Sequence, residues 1–178
     1  KYRIKSNSNL GLLGINIGPN KDSSDRLNDY LIGLKTFHEV ADYITINISS
    51  PNTENLRTFH EGDKLQDLLK SIVLEKKNLN SSTPIVVKIS PDINDDQINL
   101  ISEILLENGV KAIIVSNTSE FSRDKLINIQ KHQKGGLSGK PIEDKSNILI
   151  NKFYRLLKNK IKIIGVGGVD SGLSAHNK

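Results

Sequence analysis

The chain has 178 residues, enough for one domain with a substantial core, and a formal net charge of +5. It contains no cysteine, which excludes disulfides, thiolate metal sites and cysteine nucleophiles. No apolar run approaches the ~20 residues of a membrane span. The 25 Lys and Arg residues are scattered among 20 Asp and Glu. We therefore expect a solvated surface and no nucleic-acid partner.

Predicted strands and helices alternate along the whole chain. Apolar residues in alternation or in short runs predict strands at 12–18, 43–50, 84–90, 112–117 and 161–168. Helical spacing predicts helices at 24–40, 64–79, 95–109 and 141–158, and a last helix is expected to begin at Asp170 or Ser171. This rhythm indicates a parallel sheet with right-handed crossovers.

Polar side chains mark the carboxyl ends of the predicted strands. Asn16, Asn47 and Lys88 lie near such ends, on the face opposite the isoleucines. A doubly wound sheet has helices on both faces and would bury these groups at a cost. A (β/α)8 TIM barrel instead gathers polar residues at this end, so the sequence predicts a barrel. A complete barrel needs about 250 residues. We therefore expect residues 1–178 to supply about five βα units of a single domain in a longer protein.

Two glycine-rich segments are candidate ligand loops. Residues 165–168 precede a predicted helix, where accessible N–H groups and the helix dipole favour a phosphate, although a simple tight turn is an alternative. Residues 135–140 resemble a nucleotide P-loop only superficially. Lys134 stands where its first glycine is required, and Pro141 where it needs Ser or Thr. The second segment therefore remains a candidate backbone-donating loop.

Lys88 carries the strongest functional signal of any single residue. A lysine inside the apolar run 86–89 must either extend its ammonium group to solvent or meet an anion. Amide side chains recur at corresponding strand ends, and together they favour a planar ligand rich in amides over separate turn roles. The residues are Asn16, Asn47, Asn52 and Asn117.

Other familiar site patterns are absent from the sequence. Ser50 has no Gly-x-Ser-x-Gly elbow, which argues against a hydrolase nucleophile. No His-Glu-x-x-His motif or acidic cluster predicts a metal site. The histidines are interpreted as surface residues without partners; they are His38, His60, His132 and His176.

Six motifs in order resemble the dihydroorotate dehydrogenase family. They are Asn47-Ile48-Ser49-Ser50-Pro51-Asn52-Thr53 with Leu56-Arg57, Gly14-Ile15-Asn16-Ile17-Gly18, Val87-Lys88-Ile89-Ser90-Pro91-Asp92, Val115-Ser116-Asn117-Thr118, Gly135-Gly136-Leu137-Ser138-Gly139-Lys140-Pro141 and Ile164-Gly165-Val166-Gly167-Gly168-Val169. Together they are highly specific and span residues 11–175. They resemble strands 3 to 7 of the family's barrel.

The resemblance implies oxidation of dihydroorotate to orotate in pyrimidine synthesis, with tightly bound FMN. Ser50 would be the base that removes the C5 proton, while a hydride passes from C6 to the flavin. Serine in place of cysteine implies the quinone-reducing class. That class implies peripheral attachment to an inner or cytoplasmic membrane through a segment outside this chain.

The resemblance also implies binding residues. Orotate would contact Asn47, Asn52, Asn117 and Thr118. FMN would be held by Asn16, Asn47, Lys88, Ser116, Ser138, Gly139, Gly167 and Gly168. Ser116 replaces the family's usual threonine and keeps the hydroxyl, and the loop 54–62 is expected to act as a lid.

Two alternatives stay open at this point, and the residues identify no proton relay. One is another FMN-barrel oxidoreductase such as a dihydrouridine synthase, which should show a catalytic cysteine and a tRNA-binding domain. The other is a non-catalytic barrel fragment.

Overall fold

The computed structural model describes residues 11–51, 56–121, 123–124 and 126–178. Five strands form one parallel sheet: β1 (Gly14–Ile17), β2 (Tyr43–Asn47), β3 (Ile85–Lys88), β4 (Ala112–Val115) and β5 (Lys162–Gly165). Their order in the sheet is the order in the chain, β1-β2-β3-β4-β5. A doubly wound sheet would reverse its winding at a switch point, whereas consecutive parallel neighbours are the arrangement of a barrel wall.

The helices lie between the strands, as the periodicity predicts. They are α1 (Arg26–Phe37), α2 (Gly62–Asn78), α3 (Asp95–Glu107), α4 (Glu143–Leu157) and α5 (Gly172–His176), with 3₁₀ turns at Leu56–His60, Ile129–His132 and Lys140–Ile142. Asn94 caps α3 in a reciprocal capping box with Gln97, whose side chain accepts from the Asn94 N–H at 3.0 Å. No helix in the described ranges is long and apolar enough to cross a membrane.

The hydrophobic core lies between the helices and one face of the sheet. Ile44, Ile46 and Ile48 are completely buried there, and α2 and α4 supply leucines and Phe153 from the other side. Burying each such side chain contributes about 2 kcal/mol. Two residues that share the helical spacing of the core leucines are not buried: Val73 is 42% exposed and Leu156 is 39% exposed. They lie at the margins of the apolar stripes, where spacing alone does not separate core from rim.

The opposite face of the sheet positions the polar residues. In the strand register Asn47 pairs with Lys88, and Asn16 pairs with Thr45. Side chains alternate between faces along a strand, so Asn16, Asn47 and Lys88 project from the face that α1–α4 leave uncovered. The predicted position of these three residues, opposite the isoleucines of their own strands, is confirmed.

Candidate active site

The amides at the ends of β2 and β4 are joined through one buried serine. The Asn117 side-chain N–H donates to Ser49 Oγ at 3.0 Å, and Ser49 Oγ donates to Asn47 Oδ1 at 2.9 Å. Ser49 is completely buried. The backbone N–H of Thr118 donates to Asn117 Oδ1 at 2.9 Å. Both amide groups are therefore held in defined orientations, with their oxygen and nitrogen atoms distinguished by their partners.

Ser50 follows directly and faces a cleft of about 980 Å³. Ser50, Pro51, Arg123 and Gly135 are among the residues that line it. Ser50 is half-buried, at the point where the chain leaves β2 for the 3₁₀ turn Leu56–His60. Asn47 and Lys88 lie on the inner face of the sheet and do not line this cleft.

Lys88 is half-buried beside Asn47, and burial lowers its pKa from the ordinary lysine value. Within the described part of the chain no carboxylate lies within ion-pair distance of its ammonium group. A desolvated cation without a fixed counter-ion favours an anionic or electron-rich ligand. This geometry strengthens the prediction for Lys88.

The two glycine segments reach this end of the sheet. The backbone of Leu137 pairs with Ser119, with N–H to O distances of 2.7 and 3.0 Å, which brings residues 135–137 against the Asn117–Thr118 segment. A Cβ at Gly136 would lie 1.7 Å from Thr118 Oγ1, so only glycine allows this approach. Gly168 has φ of +78°, and a Cβ there would lie 2.5 Å from Glu143 Cβ.

Asp92, which follows β3, carries a buried carboxylate that is ion-paired. The side chain of Asp92 is 2% exposed and accepts from Arg57 Nη1 at 3.0 Å and from Lys145 Nζ at 2.5 Å. It also accepts from Ser119 Oγ at 2.6 Å and from the N–H of Glu120 at 2.8 Å. Burial raises the pKa of Asp92, but the bonds from Lys145 and Ser119 outweigh burial and hold it below its ordinary value.

The prediction of a surface His60 is wrong. His60 is 1% exposed, and its Nε2 accepts from the N–H of Ser90 at 3.1 Å. Its Nδ1, 2.9 Å from the carbonyl oxygen of Arg57, must therefore carry the proton and donate. The ring joins the 3₁₀ turn to the end of β3, so part of the expected lid is anchored. Residues 54–55 of that lid lie outside the described residues.

The model of the family described as "Dihydroorotate dehydrogenase" matches residues 2–178. The chain belongs to this family. A protein named dihydroorotate dehydrogenase (quinone) from Idiomarina loihiensis is 43% identical over 98% of this chain and 54% of its own length. One of the same name from Wigglesworthia glossinidia brevipalpis is 44% identical over 98% of the chain and 54% of its length. The chain thus spans about half the length of the curated relatives it matches.

Solved structures agree with the fold. The crystal structure of ligand-free type DHODH from Eimeria tenella superposes with a TM-score of 0.92 at 31% identity, covering 99% of this chain and 55% of that one. A ferulenol complex of DHODH from the same organism gives 0.91 at 31% identity, covering 98% of this chain and 52% of that one. The predicted partial (β/α)8 barrel of five βα units is confirmed.

Several features of the candidate site are compatible with a phosphate-bearing flavin. Gly139, Gly167 and Gly168 have φ of +77°, +115° and +78°, the left-handed region that favours glycine and that occurs in backbone turns able to donate N–H groups to an anion. Lys88 supplies an unpaired cation among the described residues. Ser116 is buried and donates to the Asn117 carbonyl oxygen at 3.1 Å, while Ser138 is exposed on the second glycine segment.

The structure brings some of the predicted site residues into contact and leaves others apart. Asn47, Asn117 and Thr118 form one hydrogen-bonded group beside Ser50, whereas Asn16 is exposed on β1, one strand away. Asn52 lies outside the described residues. The contacts of these residues with substrate or cofactor stay predictions.

Sequence reasoning missed the residues that hold this family site together. Ser49, Arg57 and Asp92 stand inside the recognised motifs but received no role. The one available signal was that Arg57 and Asp92 each stand next to apolar or turn residues. That pattern does not indicate that the two side chains, 35 positions apart in the sequence, form a pair.

His60 predicts a pH-dependent stability. Burial lowers its pKa from 6.5 to about 4. The unfolded chain therefore binds a proton between those values that the folded chain does not, and the free energy of unfolding falls as the pH drops from 6.5 towards 4. The loss should reach about 3 kcal/mol. Urea unfolding at several pH values should show this slope, and His60→Gln should flatten it; equal slopes for both proteins would contradict the assignment.

Proposed function

We propose that the full-length protein carrying this chain oxidises dihydroorotate to orotate, with FMN as cofactor and a quinone as electron acceptor. One observation carries the proposal: the hydrogen-bonded Asn47–Ser49–Asn117 group converges beside Ser50, with Lys88 paired to Asn47 in the sheet register. Family membership supports the substrate class. In this proposal residues 1–178 form part of a single FMN-binding barrel domain.

The amide group would bind the pyrimidine. Asn47, Asn52, Asn117 and Thr118 offer both donors and acceptors, which match the alternating carbonyl and N–H edge of dihydroorotate. Two of these amides are already oriented by Ser49, so little side-chain freedom is lost when the ligand binds. Such preorganisation would hold the reacting carbon at a fixed distance from Ser50.

Ser50 would remove the C5 proton. A serine hydroxyl is a weak base, and it gains strength only where water is excluded and a relay takes the proton away. The anchored 3₁₀ turn Leu56–His60 provides one wall of such a site. FMN, when bound, supplies the acceptor for the hydride that leaves C6. Lys88 would hold its positive charge beside the cofactor ring, while Gly139, Gly167 and Gly168 would surround the ring edge and phosphate.

A quinone is the proposed electron acceptor. Ser50 occupies the position where relatives with soluble acceptors have cysteine, and the curated relatives are named as the quinone type. The proposal includes peripheral attachment to an inner or cytoplasmic membrane through a segment outside these 178 residues, which would bring the lipid-soluble quinone within reach.

Flavin absorbance tests the function directly. We expect the purified full-length protein to be yellow, to bleach anaerobically on addition of dihydroorotate, and to recover its colour on addition of a quinone. Omission of substrate provides the control. A colourless protein that remains unresponsive after addition of FMN would refute the proposal.

A further inference from the structure

Arg57 joins the two halves of the candidate site. Its Nε donates to the carbonyl oxygen of Ser49 at 3.4 Å, and its Nη2 donates to the carbonyl oxygen of Thr118 at 3.1 Å. One contact precedes the proposed base, Ser50, and the other follows the proposed substrate amide of Asn117. The guanidinium group is thus fixed to the backbone on both sides of the site.

Asp92 holds that guanidinium group in place. Its carboxylate accepts from Arg57 on one oxygen and from Ser119 and Lys145 on the other. With the Glu120 N–H, these bonds connect the end of β3 to the 3₁₀ turn, to the segment after β4 and to α4. Four parts of the chain therefore meet at one buried side chain.

The charged cluster formed by Arg57, Asp92, Glu120 and Lys145 has no net charge. Arg57 and Lys145 carry two positive charges, and Asp92 and Glu120 carry two negative charges, with Glu120 accepting from Arg57 Nη1 at 2.8 Å. A balanced, mutually satisfied cluster has no excess charge with which to attract a ligand. Its consequence is geometric, since it fixes the separation of the backbone segments that it joins.

Resting on the proposed function, we propose that Arg57 and Asp92 are positioning residues that set the distance between Ser50 and the Asn117–Thr118 substrate segment. Neither residue touches the reacting atoms. They act through the Ser49 and Thr118 carbonyl oxygens. Lysine cannot replace Arg57, because a single ammonium group lacks the planar fork that reaches two carbonyl oxygens and a carboxylate at once.

Steady-state kinetics of the full-length holoenzyme test this role. For Arg57→Lys and Asp92→Asn we expect kcat to fall about 100-fold, because small displacements of reacting groups have effects of that size. FMN content should stay at the wild-type level. The kinetic isotope effect with C5-deuterated dihydroorotate should rise, since proton removal becomes slower than the other steps. A role in stability alone would move neither kcat nor the isotope effect at temperatures below unfolding.

Lys152→Met is the matched control. It removes an ion pair with Asp95 on the surface of α3 and α4, where 44% of the Lys152 side chain and 74% of the Asp95 side chain are exposed. We expect wild-type kcat and isotope effect for this variant. A kcat within threefold of wild type for either variant that folds would overturn the proposal, so the test stays decisive if the other does not fold.

Hydrogen exchange separates this inference from the proposed function. In both variants the backbone amides of residues 48–50 and 116–120 should exchange at least tenfold faster, while those of α2 keep their wild-type rates. Unchanged exchange in the two segments would refute the coupling. If the wild-type protein does not oxidise dihydroorotate, the proposed function fails, and the exchange result still decides whether Arg57 and Asp92 hold the two segments together.

Discussion

Replacing Ser50 with alanine is expected to lower kcat for dihydroorotate oxidation by about 10³-fold, a typical contribution of a positioned general base. FMN content and orotate affinity should remain close to wild type, because the amide group Asn47–Ser49–Asn117 does not depend on the Ser50 hydroxyl in the bonds that orient it. Anaerobic stopped-flow measurement of flavin bleaching gives the rate of the chemical step directly.

Ser102→Ala provides a matched serine control. Ser102 is buried, and its hydroxyl donates within α3, to the carbonyl oxygen of Ile98 at 2.7 Å, away from the strand ends. We expect wild-type bleaching for this variant. If Ser50→Ala bleached at the wild-type rate, Ser50 would have no part in proton removal, and the assignment of the quinone-reducing class from this position would lose its mechanistic basis.

The fold was predictable from the sequence because local patterns determine it. Alternation in Ile44, Ile46 and Ile48 specifies both a strand and the face that meets the helices, and a one-residue shift would expose all three. Residues that alternate with these isoleucines must lie on the opposite face of the sheet. The sequence therefore predicts that Asn47 and Lys88 share a face, and they are paired in the strand register. Strand order also follows, since short crossovers make consecutive strands neighbours.

The supporting network was not predictable because it depends on side chains distant in sequence. Asp92 and Lys145 are 53 positions apart, and Arg57 and Thr118 are 61 apart. A charged residue beside a turn is far more often solvated than buried, and only the assembled loops show that Asp92 is enclosed. His60 illustrates the same limit: it is buried and hydrogen-bonded to two backbone groups, and no periodicity in the sequence indicates either.

Lys88→Met is expected to have the second large effect on activity. The substitution keeps the length and apolar character of the side chain but removes the charge that lies next to Asn47 in the register. Loss of one preorganised electrostatic group typically lowers kcat 10²–10³-fold, and we expect about 10²-fold here. The midpoint potential of the bound cofactor should become more negative, because the positive charge that favours the electron-rich state is gone. Spectroelectrochemical titration measures that shift independently of turnover.

Lys76→Met tests whether any partly buried lysine would behave in this way. Burial and the neighbouring Lys111 also lower the pKa of Lys76, but it lies in the last turn of α2, away from the strand ends. We expect wild-type kcat and potential for that variant.

Because burial lowers the Lys88 pKa, the wild-type enzyme should lose activity as rising pH neutralises this lysine, at lower pH than an exposed lysine would titrate. That alkaline decline should be absent in Lys88→Met, and an identical decline in both proteins would assign it to another group.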